Sequence, residues 1–166
     1  MNKKIKTIKE YLINLLTNHK KINNKESMLA AIQYDPLSIE YASDELKNDK
    51  DVVLAAIKRN GWMLAYSSEN LRNDKEIVLK AVEKSGIALV CASEELRNDK
   101  EIVLTAVKGN GLTLQYASKE LQNDRDVVLA AIQQNARAFK YANISLLEKD
   151  TEILLTIIKS LKKNGL

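Results

Sequence analysis

The chain contains few of the residues that interrupt helices or cross-link small folds. Its 166 residues include one proline, five glycines, one cysteine and one tryptophan, and aromatic residues make up only 5%. Because so little in this composition breaks a helix, it favours a helical fold. The single cysteine, Cys91, excludes an intramolecular disulfide and fits a reducing compartment.

Long apolar segments are also missing. No segment approaches the roughly 20 apolar residues that span a bilayer. The lysine-rich start, MNKKIKTIKEYLINLL, has neither the uninterrupted apolar run nor the cleavage site of a signal peptide. With 45% hydrophobic and 29% charged residues, the composition is that of a globular protein. We therefore expect a single soluble domain, 1–166, in the cytoplasm and without membrane contact.

The formal net charge of +4 is concentrated near the N-terminus. Residues 1–25 carry seven lysines and one glutamate, a net charge of +6, which leaves −2 for 26–166. A nucleic-acid-binding protein more typically carries a basic stripe along its body. Nucleic acid is therefore not the expected partner.

Internal repetition is the main feature of the chain. The stretch LRNDKEIVL occurs at 71–79 and again, letter for letter, at 96–104. Around it the chain divides into a capping helix (1–22), a partial repeat (23–40), four full 25-residue repeats (41–65, 66–90, 91–115, 116–140) and a degenerate C-terminal repeat or cap (141–166). One unit cannot bury enough apolar surface to fold alone, so neighbouring units must stack. The prediction is an all-α solenoid of five to six helix–turn–helix repeats.

Each unit is expected to contain a longer helix, as in 49–59. Its apolar stripe is formed by Val52, Val53, Ala56 and Ile57, with Leu54 widening it. Asn48 with Asp51 resembles a capping box, and Asp49 is a competing N-cap. Gly61 lies where a C′ glycine ends a helix.

A second, shorter helix of about seven residues is predicted after Gly61 from the pattern of apolar residues. Leu64 and Ser67 share one of its faces, and Leu71 packs into the turn that follows. At the start of the chain, Ile5, Ile8, Leu12 and Leu15 line one face of an amphipathic helix whose other face is rich in lysine. Such a helix suits the end of a solenoid.

No catalytic, cofactor or metal site is predicted. Asp49, Asp74, Asp99 and Asp124 could form a cation track, but they lack the pattern of a calcium loop and fit helix N-caps better. His19 has no partner at a recognisable spacing, and Cys91 replaces a tyrosine of the other units, which favours packing. No phosphate loop, HExxH, CxxC or GxSxG motif occurs, so we expect no enzyme.

The shorter helices carry two positions, three residues apart, that differ strongly between units. Leu37 and Glu40 are the first pair. We predict that this face binds a partner, and its candidate residues are Trp62, Ala65, Ile87, Val90, Leu112, Gln115, Arg137 and Lys140. The alternative is that adjacent units cover the same face as ordinary core.

The combined pattern YASxxLxND(K/R)(D/E)(I/V)VLxA(I/V), followed by GxxL, closely resembles the repeats of the domain-of-unknown-function family numbered 4116. The resemblance covers four clear units and two partial ones, and it implies the repeat fold. It implies no activity, ligand or catalytic residue.

The leading functional hypothesis is a non-enzymatic scaffold that presents the varied face to a protein or peptide. The alternative is that nucleic acid or an acidic partner binds through the basic terminal regions, with Arg137 and Lys140. An enzyme that uses Asp residues and Cys91 is the third possibility.

Overall fold

The computed structural model describes residues 21–163 and confirms an all-α solenoid. The α-helices are α1 (Lys25–Tyr34), α2 (Asp44–Lys47), α3 (Lys50–Arg59), α4 (Glu69–Arg72), α5 (Lys75–Lys84), α6 (Lys100–Gly109), α7 (Arg125–Gln134), α8 (Ile144–Lys149) and α9 (Thr151–Lys163). Between them lie 3₁₀ helices at Pro36–Tyr41, Gly61–Tyr66, Gly86–Cys91, Leu96–Asn98, Gly111–Tyr116, Leu121–Asn123 and Ala136–Tyr141.

The units stack so that like elements contact like elements. The long helices contact one another in the order α1, α3, α5, α6, α7 and α9, and we call these helices the long-helix row. The six-residue 3₁₀ helices likewise contact their counterparts in the next unit and form a second row. Each unit therefore shares its apolar faces with both neighbours, as expected for a solenoid.

The predicted stripe on the long helices is confirmed as core. Val52, Val53, Ala56 and Ile57 are buried, and so are the matching residues of α5, α6 and α7. Leu54 is partly buried and packs against this core, so it widens the stripe as expected. The turn leucines behave as predicted, since Leu46, Leu71, Leu96 and Leu121 are all buried.

The shorter helix that was predicted in each unit is a 3₁₀ helix of six residues. Gly61–Tyr66 turns every three residues, which places Gly61, Leu64 and Ser67 in line on a buried face. The Asn60 side chain accepts a hydrogen bond from the Trp62 backbone N–H at 3.0 Å and starts the turn. The expectation that Leu64 and Ser67 share a face is confirmed.

Gly61 stands at the C′ position that the sequence suggested, but without the left-handed conformation of a C′ glycine. Helix α3 ends at Arg59, its C-cap Asn60 is extended, and Gly61 begins the 3₁₀ helix. Its role is close approach, because a methyl group at Gly61 would overlap the backbone carbonyl oxygen of Ala81 in the next unit. Gly86 and Gly111 meet Ala106 and Ala131 in the same way.

The two ends of the chain differ from the central units. The predicted N-terminal capping helix and His19 lie outside the described residues, except that Lys21 and Ile22 are not helical. Ile22 instead donates a backbone hydrogen bond to Tyr41 at 2.8 Å. At the other end, helix α9 leaves Leu154 and Ile158 exposed, whereas their counterparts Val103 and Val107 are buried.

Candidate interaction surface

The face predicted to bind a partner lies on the row of 3₁₀ helices. Its two positions per unit, such as Trp62 and Ala65, are three residues apart and therefore share a side of a 3₁₀ helix. Because these helices stack on one another, the positions form a continuous surface, which we call the strip. The strip consists of Leu37, Glu40 and the eight candidate residues Trp62, Ala65, Ile87, Val90, Leu112, Gln115, Arg137 and Lys140.

Adjacent units do not bury the strip. Trp62 is 40% exposed and Leu37 47% exposed, and Gln115, Arg137 and Lys140 are exposed as well. Ala65, Ile87, Val90 and Leu112 are half-buried. The alternative that this face is ordinary core is therefore wrong.

Charge changes along the strip. The first unit contributes Glu40, the middle units are apolar, and the last full units contribute Gln115, Arg137 and Lys140. On the buried side of the same 3₁₀ helices, the position of Leu64 stays apolar, as Leu89 and Leu114 show. The strip thus combines a common backbone geometry with side chains that differ from unit to unit.

A cleft of about 390 Å³ opens at the basic end of the strip. It is lined by Gln115, Lys119, Gln122, Lys140, Tyr141, Ala142, Asn143 and Ile144. Gln115 and Lys140 belong to the strip, so the cleft continues it. The sequence prediction missed Lys119, although its counterparts Asp44, Glu69 and Glu94 are all acidic.

Gln122 shapes the floor of this cleft. Its Nε2 donates to the carbonyl oxygens of Leu114 at 3.1 Å, and of Gln115 and Ala117 at 3.2 Å each. Its Oε1 accepts a hydrogen bond from Lys119 Nζ at 3.0 Å. A buried amide therefore replaces the lysine or arginine found at 47, 72 and 97, and it holds Lys119 at the cleft.

The repeated aspartates are confirmed as N-caps. Asp99 Oδ1 accepts hydrogen bonds from the backbone N–H groups of Glu101 at 3.0 Å and Ile102 at 3.2 Å. Lys75 of the preceding unit pairs with Asp99 at 2.8 Å and with Glu101 at 2.9 Å. The acid in the first turn thus pairs with a lysine of another unit and does not complete the predicted capping box.

The same pairing recurs at each step of the long-helix row. We call this set of ion pairs the charge ladder, and it joins Lys25 to Asp49 and Asp51, Lys50 to Asp74, Lys75 to Asp99 and Glu101, Lys100 to Asp124 and Asp126, and Arg125 to Asp150 and Glu152. The hydrogen bond from Lys50 lowers the pKa of Asp74 below its ordinary value, although burial opposes it. Within 21–163 no three His, Cys, Asp or Glu side chains gather as a metal site would need.

In three of the Asn-Asp pairs the asparagine side chain connects two units and does not cap the helix that follows. Asn48 Oδ1 accepts a hydrogen bond from the hydroxyl of Ser68 in the next unit at 2.6 Å. The Ser68 backbone N–H also donates to the Lys47 carbonyl at 2.9 Å. Asn73 with Ser93, and Asn98 with Ser118, repeat the side-chain bond.

Cys91 packs as the tyrosines of other units do. It is half-buried against the core, like Tyr66, Tyr116 and Tyr141. Burial raises the pKa of its thiol, and the nearby Arg72 only partly opposes this. A thiol held in its protonated form is a poor nucleophile at neutral pH.

Comparison with protein families gives five overlapping matches to one family, described as Domain of unknown function (DUF4116). They cover 24–72, 53–97, 74–122, 99–147 and 124–166, which is most of the chain. The chain therefore belongs to this family. Comparison with characterised proteins and with solved structures gives no match. No helix in the described part of the chain is long and apolar enough to cross a membrane.

Proposed function

We propose that this member of the DUF4116 family is a non-enzymatic helical-repeat scaffold that binds a protein or peptide partner along the strip. The observation that carries the proposal is the exposure of Trp62 within a partly apolar surface. Contiguous exposed apolar surface is characteristic of interaction sites, and tryptophan is enriched among the residues that dominate binding energy. A cytoplasmic location, suggested by the single cysteine, belongs to the same proposal.

The distribution of identical and different residues supports the same proposal. Residues that are equal in every full unit, such as Leu104, Ala106 and Asp99, pack in or against the core or cap the helices. On the strip, by contrast, equivalent positions of successive units carry different side chains, namely Trp62, Ile87 and Leu112. A solenoid can vary such a surface without disturbing the contacts that stack its units.

A second candidate is nucleic-acid binding through the basic residues, supported by Lys119, Arg137 and Lys140 at one end of the strip. Against it, the lysines that begin three of the long helices, Lys50, Lys75 and Lys100, are paired with aspartates of the next unit. A phosphate backbone needs several cations along its path. The protein or peptide partner is therefore the preferred proposal.

The proposal is tested by selecting binders from a random peptide display library on the immobilised protein. Replacing Trp62 by Ala should weaken binding of the selected peptides by about tenfold or more, since buried tryptophan contacts dominate many interfaces. The melting temperature should stay nearly unchanged, because the side chain is exposed.

Lys84→Ala, an exposed position on the long-helix row, serves as the matched control and should leave peptide binding unchanged. A Trp62→Ala variant that melts several degrees lower yet binds the selected peptides normally would show that Trp62 contributes to packing and not to binding. That result would contradict the proposal.

A further inference from the structure

We infer that the cleft at the basic end of the strip receives an acidic segment of the partner, so the partner is a peptide with an apolar stretch followed by carboxylates. The inference rests on the proposed function and deepens it by naming the chemistry of the partner. It starts from a reversal of charge. Lys119 stands where three other units have Asp44, Glu69 and Glu94, and Lys140 occupies the position of Glu40.

The cleft has the composition of an anion site. Its lining contains two lysines and no carboxylate. Neither Lys119 nor Lys140 belongs to any ion pair formed within 21–163, in contrast to the lysines of the charge ladder. Glu120, the acid next to Lys119 in sequence, accepts a hydrogen bond from Asn98 in the preceding unit.

The volume of the cleft and the residues at its rim also fit a peptide. The volume of about 390 Å³ is in the range of small ligand sites, and it can accept acidic side chains without disturbing the fold. Tyr141 and Ala142 line it together with Ile144, which is 71% exposed. An acidic residue flanked by apolar ones would therefore meet cations and apolar surface at once.

The rest of the strip decides between a peptide and a nucleic acid. From the cleft the strip runs past Leu112 and Ile87 to Trp62, where the side chains are apolar, and it ends at Glu40. A polynucleotide would carry its phosphates over this apolar surface toward a carboxylate, without the cations that such a path requires. A peptide can change from acidic to apolar along its length and match the gradient.

The test uses two fluorescein-labelled synthetic peptides. In one, a leucine-rich segment is followed by a run of glutamates, and in its twin glutamines replace the glutamates. At low ionic strength, fluorescence anisotropy should show the glutamate peptide binding about tenfold more tightly, as two exposed ion pairs allow.

The variant Lys119→Glu/Lys140→Glu should abolish this preference. The matched control, Lys58→Glu/Lys84→Glu, changes the net charge equally at exposed positions of the long-helix row and should retain the preference. Circular dichroism verifies that both variants fold.

Each other outcome counts against the inference. Equal binding of the two peptides, both weakened by Trp62→Ala, overturns the acidic segment and leaves the proposed function in place. Binding of neither peptide overturns both. A single-stranded oligonucleotide that binds more tightly than the glutamate peptide, and depends on Lys119 and Lys140, would replace the peptide by a nucleic acid.

Discussion

Asn98 and Asp99 are adjacent in sequence and have separate structural roles. Asp99 caps helix α6, while Asn98 accepts a hydrogen bond from the Ser118 hydroxyl at 2.5 Å and so joins two units. Short polar side chains suit both tasks because they reach nearby backbone or side-chain donors. The duplicated stretch LRNDKEIVL therefore encodes a helix start together with its link to the next unit.

Replacing Asp99 by Ala should lower the free energy of unfolding by about 1–2 kcal/mol, because two backbone N–H groups lose their acceptor. Asn98→Ala should cost no more than that, about 0.5–1.5 kcal/mol, since the hydrogen bonds it removes, with Ser118 and Glu120, join exposed groups. Urea denaturation measures both values. An Asp99→Ala variant as stable as the unmodified protein would be incompatible with the cap.

Gly86, at the start of a 3₁₀ helix, and Gly109, at the end of α6, offer a matched pair at the same scale. Gly86→Ala should destabilise the protein by about 1–3 kcal/mol or more, as an overpacked site does, because the methyl group overlaps the Ala106 carbonyl oxygen. At Gly109 a methyl group would lie 3.8 Å from the nearest atom, the Gly86 backbone nitrogen. Gly109→Ala should therefore raise stability by about 0.5–1 kcal/mol. Thermal unfolding that ranks the two variants in the opposite order would contradict the close approach.

At the scale of elements, the charge ladder connects the start of each long helix to the previous one. Each cation extends from its own first turn to the N-cap aspartate of the next unit, as Lys75 does to Asp99. Burial raises the pKa of Asp99, whereas the hydrogen bonds from Lys75 and from the Ile102 N–H lower it. The lowering outweighs the effect of burial, so the pKa of Asp99 lies below its ordinary value. Asp49 and Asp124 have lowered pKa values for the same reasons.

Stability should therefore fall in acid. A carboxyl group whose pKa is lowered by folding stabilises the folded state above its unfolded pKa of about 3.9, and that contribution is lost as the pH falls through the folded pKa. Urea denaturation at about pH 6 and about pH 3 should show a clear loss of stability. Lys75→Gln should make the loss smaller, since one of the aspartates then has a pKa nearer its ordinary value.

Two further results bear on the same ladder. Its lysines are exposed, so added salt should weaken the contribution of the ion pairs at neutral pH. The contrary result is a free energy of unfolding that is the same at the two pH values, both in the unmodified protein and in Lys75→Gln. It would show that the aspartates have the same pKa values in the folded and unfolded chain.

At the scale of the molecule, the core and the two helices of each unit were predictable, and the 3₁₀ type of the shorter helix was not. The stripe that includes Ile77 and Val78 recurs with helical spacing over a ten-residue helix, long enough to define its period. The six residues of Gly61–Tyr66 are too few to separate a period of three from one of 3.6. The hydrogen bond from the Ser118 hydroxyl to Asn98 joins two units, and no local spacing in the sequence predicts it.

The candidate strip was predictable for a different reason. Trp62, Ile87 and Leu112 occupy one repeat position with different side chains, which indicates a position free of the constraints on the core. The sequence did not predict whether the strip is exposed, because a short helix of either type could have buried that face. Lys119 was not among the predicted site residues because it lies in the turn beyond the 3₁₀ helix. The sequence nevertheless shows that it replaces the acidic residue found at this position in three other units.

Units that are alike in their core differ on the surface that we propose binds a partner. This proposal is tested by amide chemical shifts in NMR spectra, recorded as the glutamate peptide is added to the isotope-labelled protein. The largest changes are expected in Gly61–Tyr66, Gly86–Cys91, Gly111–Tyr116 and the residues lining the cleft. Changes confined to the exposed side of α3, α5 and α6 would contradict it.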